Sequence, residues 1–280
     1  MNYLLFNPLA NNGAAEKAKD GVIEELRPEF GEFEVKSVID LDFKKFFSSL
    51  KAEDNVVLFG GDGTLNRLAN AIYGLEYKNK LYLYRAGTGN DFLKDIVSDE
   101  TKYVEISKYL KRLPEIEVND IKCRFLNGIG YGVPGAACEV ADKQKAEGKE
   151  KIDYAKISIG LVLGKYKMPN CKVTVDGEVH EYKKCWLASA MYGRYMGGGM
   201  MAAPKQDRNS DKLSCLVWYK SGRIHTLLMF SSIFKGEHVK KTKYVEVLEG
   251  KEIEVEFDAP CALQIDGETV LNVTKYKVHF

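Results

Sequence analysis

The sequence has almost no net charge. Lys and Arg number 41 against 40 Asp and Glu, which leaves +1. That balance gives the chain no overall pull toward nucleic acid or an anionic surface, and no nucleic-acid partner is expected. Any phosphate must be handled locally, by loops or by a metal. Histidines are few, at four, and the six cysteines (Cys123, Cys138, Cys171, Cys185, Cys215, Cys261) include no C-x-x-C pair, so a zinc site is not expected. No stretch reaches the roughly 20 apolar residues of a membrane span. The opening MNYLLFNPLA lacks the basic segment and the apolar run of a signal peptide. Scattered thiols without such a signal fit a reducing cytoplasm, the expected location. Internal repeats and low-complexity segments are missing as well.

What is present is a rhythm that changes. A length of 280 residues with 45% hydrophobic content allows a sizeable core in one or two domains. Short apolar runs at Tyr3–Phe6, Glu34–Val38, Val56–Phe59 and Leu81–Tyr84 read as strands. Between them, Ala14–Leu26, Asp42–Leu50 and Thr64–Tyr73 read as helices, the first ending near Pro28. In the third, Leu65, Leu68, Ala69 and Ile72 share one face. Alternating β and α segments imply a mostly parallel sheet covered by helices. After Pro114 the pattern becomes mostly strands, Glu252–Phe257 and Ala262–Ile265 among them, with helices expected at Ala136–Gly148 and Asp153–Gly164. Asp176-Gly177 and Asp266-Gly267 mark tight hairpins. The expected division is an α/β domain over residues 1–115 and a second, mainly antiparallel β domain over residues 116–280.

The strongest chemical signal is Gly60-Gly61-Asp62-Gly63-Thr64-Leu65-Asn66, which follows a buried strand and opens a helix. Glycines let the backbone approach a bulky anion, and the first N–H groups of a helix point outward, ready for phosphate. Thr64 suits an N-cap. Asp62 either caps a helix or faces phosphate across a cation, as a Mg2+–nucleotide site needs. Ala86-Gly87-Thr88-Gly89-Asn90-Asp91-Phe92 has the same character and adds a second carboxylate. Asn7-Pro8 ends the first strand. In a parallel sheet all three loops would share the carboxyl edge, where α/β folds bind ligands.

Gly60-Gly61-Asp62-Gly63-Thr64 with Asn66, followed by Gly87-Thr88-Gly89-Asn90-Asp91-Phe92, resembles the diacylglycerol kinase family, which includes bacterial lipid kinases and sphingosine and ceramide kinases. Asn7-Pro8, Gly197-Gly198-Gly199-Met200 with Ala203-Pro204, and Asp266-Gly267-Glu268 fit the same order of motifs. The first motif is shared with NAD kinases; the Gly-Thr-Gly-Asn-Asp-Phe loop is more specific to lipid kinases. The resemblance implies an α/β nucleotide-binding domain over residues 1–115 followed by a mainly antiparallel β-sandwich domain over residues 116–280, and an ATP-dependent kinase that phosphorylates diacylglycerol or a related lipid alcohol in phospholipid metabolism. It implies that Asn7, Gly60, Gly61, Gly63, Thr64, Asn66, Gly87, Thr88, Gly89 and Asn90 surround ATP. Asp62 and Asp91 would hold Mg2+ through waters, and Glu268 would take the proton of the acceptor hydroxyl. A peripheral visit to the inner membrane surface follows from such a substrate, and a homodimer is left open. An NAD kinase-like enzyme and a non-catalytic nucleotide or lipid sensor are the alternatives.

Two departures concern the acceptor side. Where many members carry Asp-Asp-Gly-x-Leu-Asp, this chain has Asn209-Ser210-Asp211-Lys212-Leu213-Ser214, so a structural Mg2+ would have to use Asp211 or Asp207. Ile129-Gly130-Tyr131 is followed by Gly132 rather than the family's frequent Asp. Asp266-Gly267-Glu268 also has a near-copy in Asp176-Gly177-Glu178, which reads as a plain hairpin. Only its place in the order of motifs singles out Glu268.

Overall fold

A computed structural model describes residues 1–8, 13–86, 89–98, 100–149 and 152–280. They fall into two units, Met1–Leu113 and Pro114–Phe280.

The first unit runs β1 (Asn2–Phe6), α1 (Ala14–Phe30), β2 (Phe33–Ser37), α2 (Phe43–Ser49), β3 (Asn55–Gly60), α3 (Asp62–Ile72), β4 (Lys80–Arg85), α4 (Asp91–Ile96) and β5 (Tyr103–Glu105). The strand order is β2-β1-β3-β4-β5. The first four strands are parallel and β5 is antiparallel to β4. Leu4–Phe6 and Val56–Phe59 are buried throughout, as central strands of a helix-covered parallel sheet must be. Helix α3 buries Leu65, Leu68, Ala69 and Ile72, the face its spacing predicts. Phe6 lies level with Phe59, and Phe59 with Tyr84, so the loops after β1, β3 and β4 leave one edge of the sheet together.

Helix α1 does not stop at Pro28. It continues to Phe30 and ends at Gly31, whose φ of 76° is one that few side chains tolerate. A proline in the last turn costs only part of the hydrogen-bond ladder. Phe30 compensates by packing its ring 5.0 Å from Tyr82 and 5.8 Å from Phe33 and Tyr103.

The second unit contains β6 (Glu115–Val118), β7 (Ile121–Arg124), β8 (Gly128–Tyr131), α5 (Val133–Ala146), α6 (Tyr154–Gly160), β9 (Cys171–Val175), β10 (Glu178–Tyr182), β11 (Cys185–Met191), β12 (Leu213–Tyr219), α7 (Arg223–Phe230), β13 (Val245–Gly250), β14 (Glu252–Ile265) and β15 (Glu268–His279). Its strands form one ten-stranded sheet with antiparallel pairing. The α/β-then-antiparallel-β order matches the sequence expectation.

Four elements differ from it. Ile129-Gly130-Tyr131, singled out in the sequence only for the Gly132 that follows it, lies in the buried strand β8 between β11 and β14. Its glycines and the one after it serve packing: a Cβ on Gly130 would lie 2.6 Å from the Gln264 amide, and one on Gly132 would lie 2.4 Å from the Trp186 carbonyl. The runs Glu252–Phe257 and Ala262–Ile265 are one strand, β14, interrupted by a register shift around exposed Pro260, a residue that sheets accept at bulges. Finally, Asp153–Gly164 divides into α6 and a π turn at Leu161–Lys165, and a further helix, α7, follows β12.

Candidate nucleotide site

Chain order alone would place Asp62 and Asp91 on separate loops; the fold joins them. Gly61 caps α3, so Asp62 begins the helix and Thr64 sits in its first turn rather than at the cap. Asp62 and Gly63 already have helical backbone, which moves the cap back by three positions. Gly61 offers no side chain to cap this helix start, whose first N–H groups lie on the carboxyl edge of the sheet. The Asp62 carboxylate reaches across to the next loop instead. Its Oδ2 accepts from the Asp91 N–H at 2.8 Å and its Oδ1 from the Phe92 N–H at 3.0 Å. A negative group at the start of α4 also complements the helix dipole.

Small residues allow this closeness. A Cβ on Gly61 would lie 3.5 Å from the Ala86 carbonyl, and one on Gly89 would lie 3.5 Å from Asp62 Oδ2. On Gly60 it would lie 2.8 Å from the Thr64 Cβ, so the Thr64 side chain folds back over Gly60. Gly63 is the exception: it is exposed, with open space where a Cβ would stand. Asn90 takes the left-handed conformation at φ 49° and, like Asp91, is buried. Asn66, one turn into α3, accepts from the Asn70 amide at 3.0 Å. Asn7 follows β1 at the same sheet edge. Gly87 and Thr88 lie outside the described residues.

This set suits a nucleotide phosphate: open backbone at Gly63, an uncapped helix start, and a carboxylate between two loops. For Mg2+ the fit is indirect, because both Asp62 oxygens already hold backbone donors. A water-mediated ion agrees with that arrangement better than a direct cage.

In the second unit, Asp266 and Gly267 form the expected hairpin, with φ of 46° and 101°. Glu268 is exposed at the start of β15. The feature that sequence reading missed is Asp266. Its carboxylate accepts from three successive backbone N–H groups: Leu126, Asn127 at 2.8 Å and Gly128 at 2.9 Å. Arg208 braces the same segment through the Leu126 carbonyl and, at 2.7 Å, the Asn127 side chain. No local pattern points to this clamp, since its partners lie up to 140 residues apart. The near-copy hairpin does a similar thing: Asp176 accepts from the Lys251 and Glu252 N–H groups at 2.9 Å.

Gly197, Gly198 and Gly199 all have positive φ, in a loop closed by a bridge between Met196 and Met200. Asp211 is ion-paired with Lys251, and Asp207 closes its own turn with Asn209. Among the described residues, the one group of three or more metal-type side chains is Glu115, Glu117 and His279. Lys122 and Arg124 already pair with its carboxylates.

The model of the diacylglycerol kinase catalytic domain matches residues 2–121, and that of the YegS C-terminal NAD kinase beta sandwich-like domain matches residues 127–277. The chain belongs to the diacylglycerol kinase family. Among the relatives of this family member, a Mycobacterium tuberculosis protein named diacylglycerol kinase is 24% identical over 270 residues, covering 90% of this chain and 84% of its own. A solved Bacillus anthracis structure superposes with a TM-score of 0.72 at 22% identity, covering 99% of this chain and 91% of that one. A second, named a diacylglycerol kinase, gives 0.65 at 19% identity, covering 99% and 92%. At these identities the solved structures speak for the fold. Membership of a kinase family supports phosphotransfer as the reaction. No helix among the described residues is long and apolar enough to cross a membrane.

Proposed function

We propose that the chain is an ATP-dependent lipid kinase that transfers the γ-phosphate of ATP to the hydroxyl of diacylglycerol or a related lipid alcohol. The observation that carries this reading is the Asp62 carboxylate holding the start of α4 beside the uncapped start of α3, in a kinase-family chain. Phosphoryl transfer asks a protein mainly for alignment and neutralised charge.

In this reading the backbone of Gly60, Gly61 and Gly63 receives the phosphates, with Thr64 and Asn66 on the same helix. Asn7, Gly87, Thr88, Gly89 and Asn90 complete the nucleotide's surroundings. Asp62 and Asp91 hold Mg2+ through waters; the ion, when bound, neutralises phosphate charge. Asp62 also fixes the second loop against the first, so that the donors are in place before the nucleotide arrives. Glu268 accepts the proton of the attacking hydroxyl, and the Asp266 clamp fixes the strand end that carries it. Asp211, which pairs with Lys251, or Asp207 would hold a second, structural Mg2+.

Incubation with γ-labelled ATP, Mg2+, diacylglycerol in mixed micelles and NAD separates the readings. Label in the organic extract supports the lipid kinase. Label on NAD moves the assignment to a small-molecule kinase, and nucleotide binding without transfer moves it to a sensor.

A further inference from the structure

Helix α7 turns one apolar face inward and another outward. Thr226 and Met229 are buried, Met229 in the core that holds Trp186 and Trp218. Ile224 and Leu228, four residues apart and therefore stacked on one face, are 75% and 76% exposed. Beside α7, the π turn at Leu161–Lys165 leaves Leu163 58% exposed, and the turn at Ser231–Lys235 after the helix leaves Phe234 44% exposed. These residues stand on a fixed ledge. Arg223 donates to the Val162 carbonyl at 2.7 Å and to the Tyr166 carbonyl at 3.1 Å, and its guanidinium lies 5.7 Å from the Trp186 ring centroid. Single exposed aliphatics need no explanation, but a group of them on one rigid support marks a docking surface.

Charge identifies the occupant. The chain is balanced overall, yet residues 220–243 contain six Lys or Arg and one acid, Glu237. Residues 154–168 contain Lys156, Lys165 and Lys167 and no acid. Lys167, Lys220, Lys235 and Lys241 are exposed, while Lys240 is paired with Glu237 at 3.7 Å. A second copy docked across a two-fold axis would set these lysines against themselves. An anionic bilayer offers apolar chains to the aliphatics and negative headgroups to the lysines.

We propose that α7 and the Leu161–Lys165 turn form an interfacial docking ledge, which sinks Leu163, Ile224 and Leu228 below the headgroups of an anionic phospholipid bilayer while the flanking lysines bind those headgroups. Its purpose rests on the lipid-kinase reading, but its test does not.

The test is co-sedimentation of the purified chain with sucrose-loaded vesicles of phosphatidylglycerol and phosphatidylcholine, without nucleotide. Wild type binds, binds pure phosphatidylcholine less, and is released by salt. The Ile224→Asp/Leu228→Asp variant partitions about tenfold less or lower, because an apolar anchor becomes a repelled charge. Lys235→Glu/Lys241→Glu shows a loss of similar size. All replaced residues are exposed, so folding is retained, as far-UV circular dichroism checks. In a Leu228→Trp variant the tryptophan emission shifts to the blue when vesicles are added. The proposal is overturned if wild type ignores the anionic vesicles or if the aspartate variant binds them as wild type does. It is also overturned if wild type is a dimer that this variant converts to monomer, which would assign the face to a second copy. None of these readings uses turnover, so they decide the ledge whether or not the kinase reading holds.

Discussion

Asp62 and Asp91 are joined through backbone: the carboxylate of the first accepts the N–H of the second at 2.8 Å, and Phe92 donates to the same carboxylate at 3.0 Å. One side chain thus ties the two glycine-bearing loops of the first unit together. Asp62→Asn removes the charge and one of its acceptor oxygens. We expect a loss of about 1–2 kcal/mol of stability by urea denaturation, the scale of weakened charge-assisted hydrogen bonds, and a fall of about 100-fold or more in turnover. Asp62→Ala costs more stability, because both N–H groups lose their acceptor.

Gly60 and Gly63 separate packing from ligand approach. Gly60→Ala forces a Cβ to 2.8 Å from the Thr64 side chain and destabilises the unit. Gly63→Ala meets nothing within 4 Å. As a helix residue it leaves stability unchanged or raises it by up to about 1 kcal/mol. If the Gly63 backbone receives phosphate, the same change weakens ATP binding, which isothermal titration of both variants measures.

The two Asp-Gly hairpins make a matched pair. Asp266→Ala and Asp176→Ala each strand backbone N–H groups and cost about 1–3 kcal/mol. Glu268→Gln, at an exposed position, changes stability by less than about 0.5 kcal/mol yet lowers kcat about 100-fold or more if Glu268 is the base. Glu178→Gln, its counterpart in the other hairpin, leaves kcat unchanged.

His238 is fully buried, with its Nε2 at 3.0 Å from the Ala202 carbonyl and its ring stacked 6.2 Å from Trp218. Burial lowers its pKa below the ordinary 6.5. The folded chain therefore keeps His238 neutral where the unfolded chain takes up a proton. Stability falls as pH drops below about 6.5, by at most about 1.4 kcal/mol per pH unit. Urea midpoints between pH 7.5 and 5.5 should show this slope, and His238→Gln should flatten it. Carboxylates with lowered pKa, such as Glu25 beside Lys102, act in a separate window, below the ordinary 4.5.

Much of this architecture could be read in advance, for physical reasons. Parallel-sheet strands such as Val56–Phe59 are continuous apolar runs, and α3 shows its buried face as a spacing. The Asp-Gly hairpins carry their turn chemistry in two letters. Strand β8 was hidden because three of its neighbouring positions are glycines selected by close packing, which carry no strand preference. Helix α7 was hidden for the opposite reason: its large aliphatics Ile224 and Leu228 face outward, so periodicity does not point to a core. The Asp62 link was half legible, since a capping role was one of two readings of that residue, though not across to α4. The Asp266 clamp was not legible at all, because it depends on backbone far away in sequence.

The most direct test of the central claim is ATP consumption by the purified chain with Mg2+ and a panel of lipid alcohols in mixed micelles, beside Asp62→Asn. The account predicts turnover on diacylglycerol or a related lipid alcohol and its loss in the variant. ATP bound by the wild type with no turnover on any lipid alcohol, or turnover undiminished in Asp62→Asn, would contradict it.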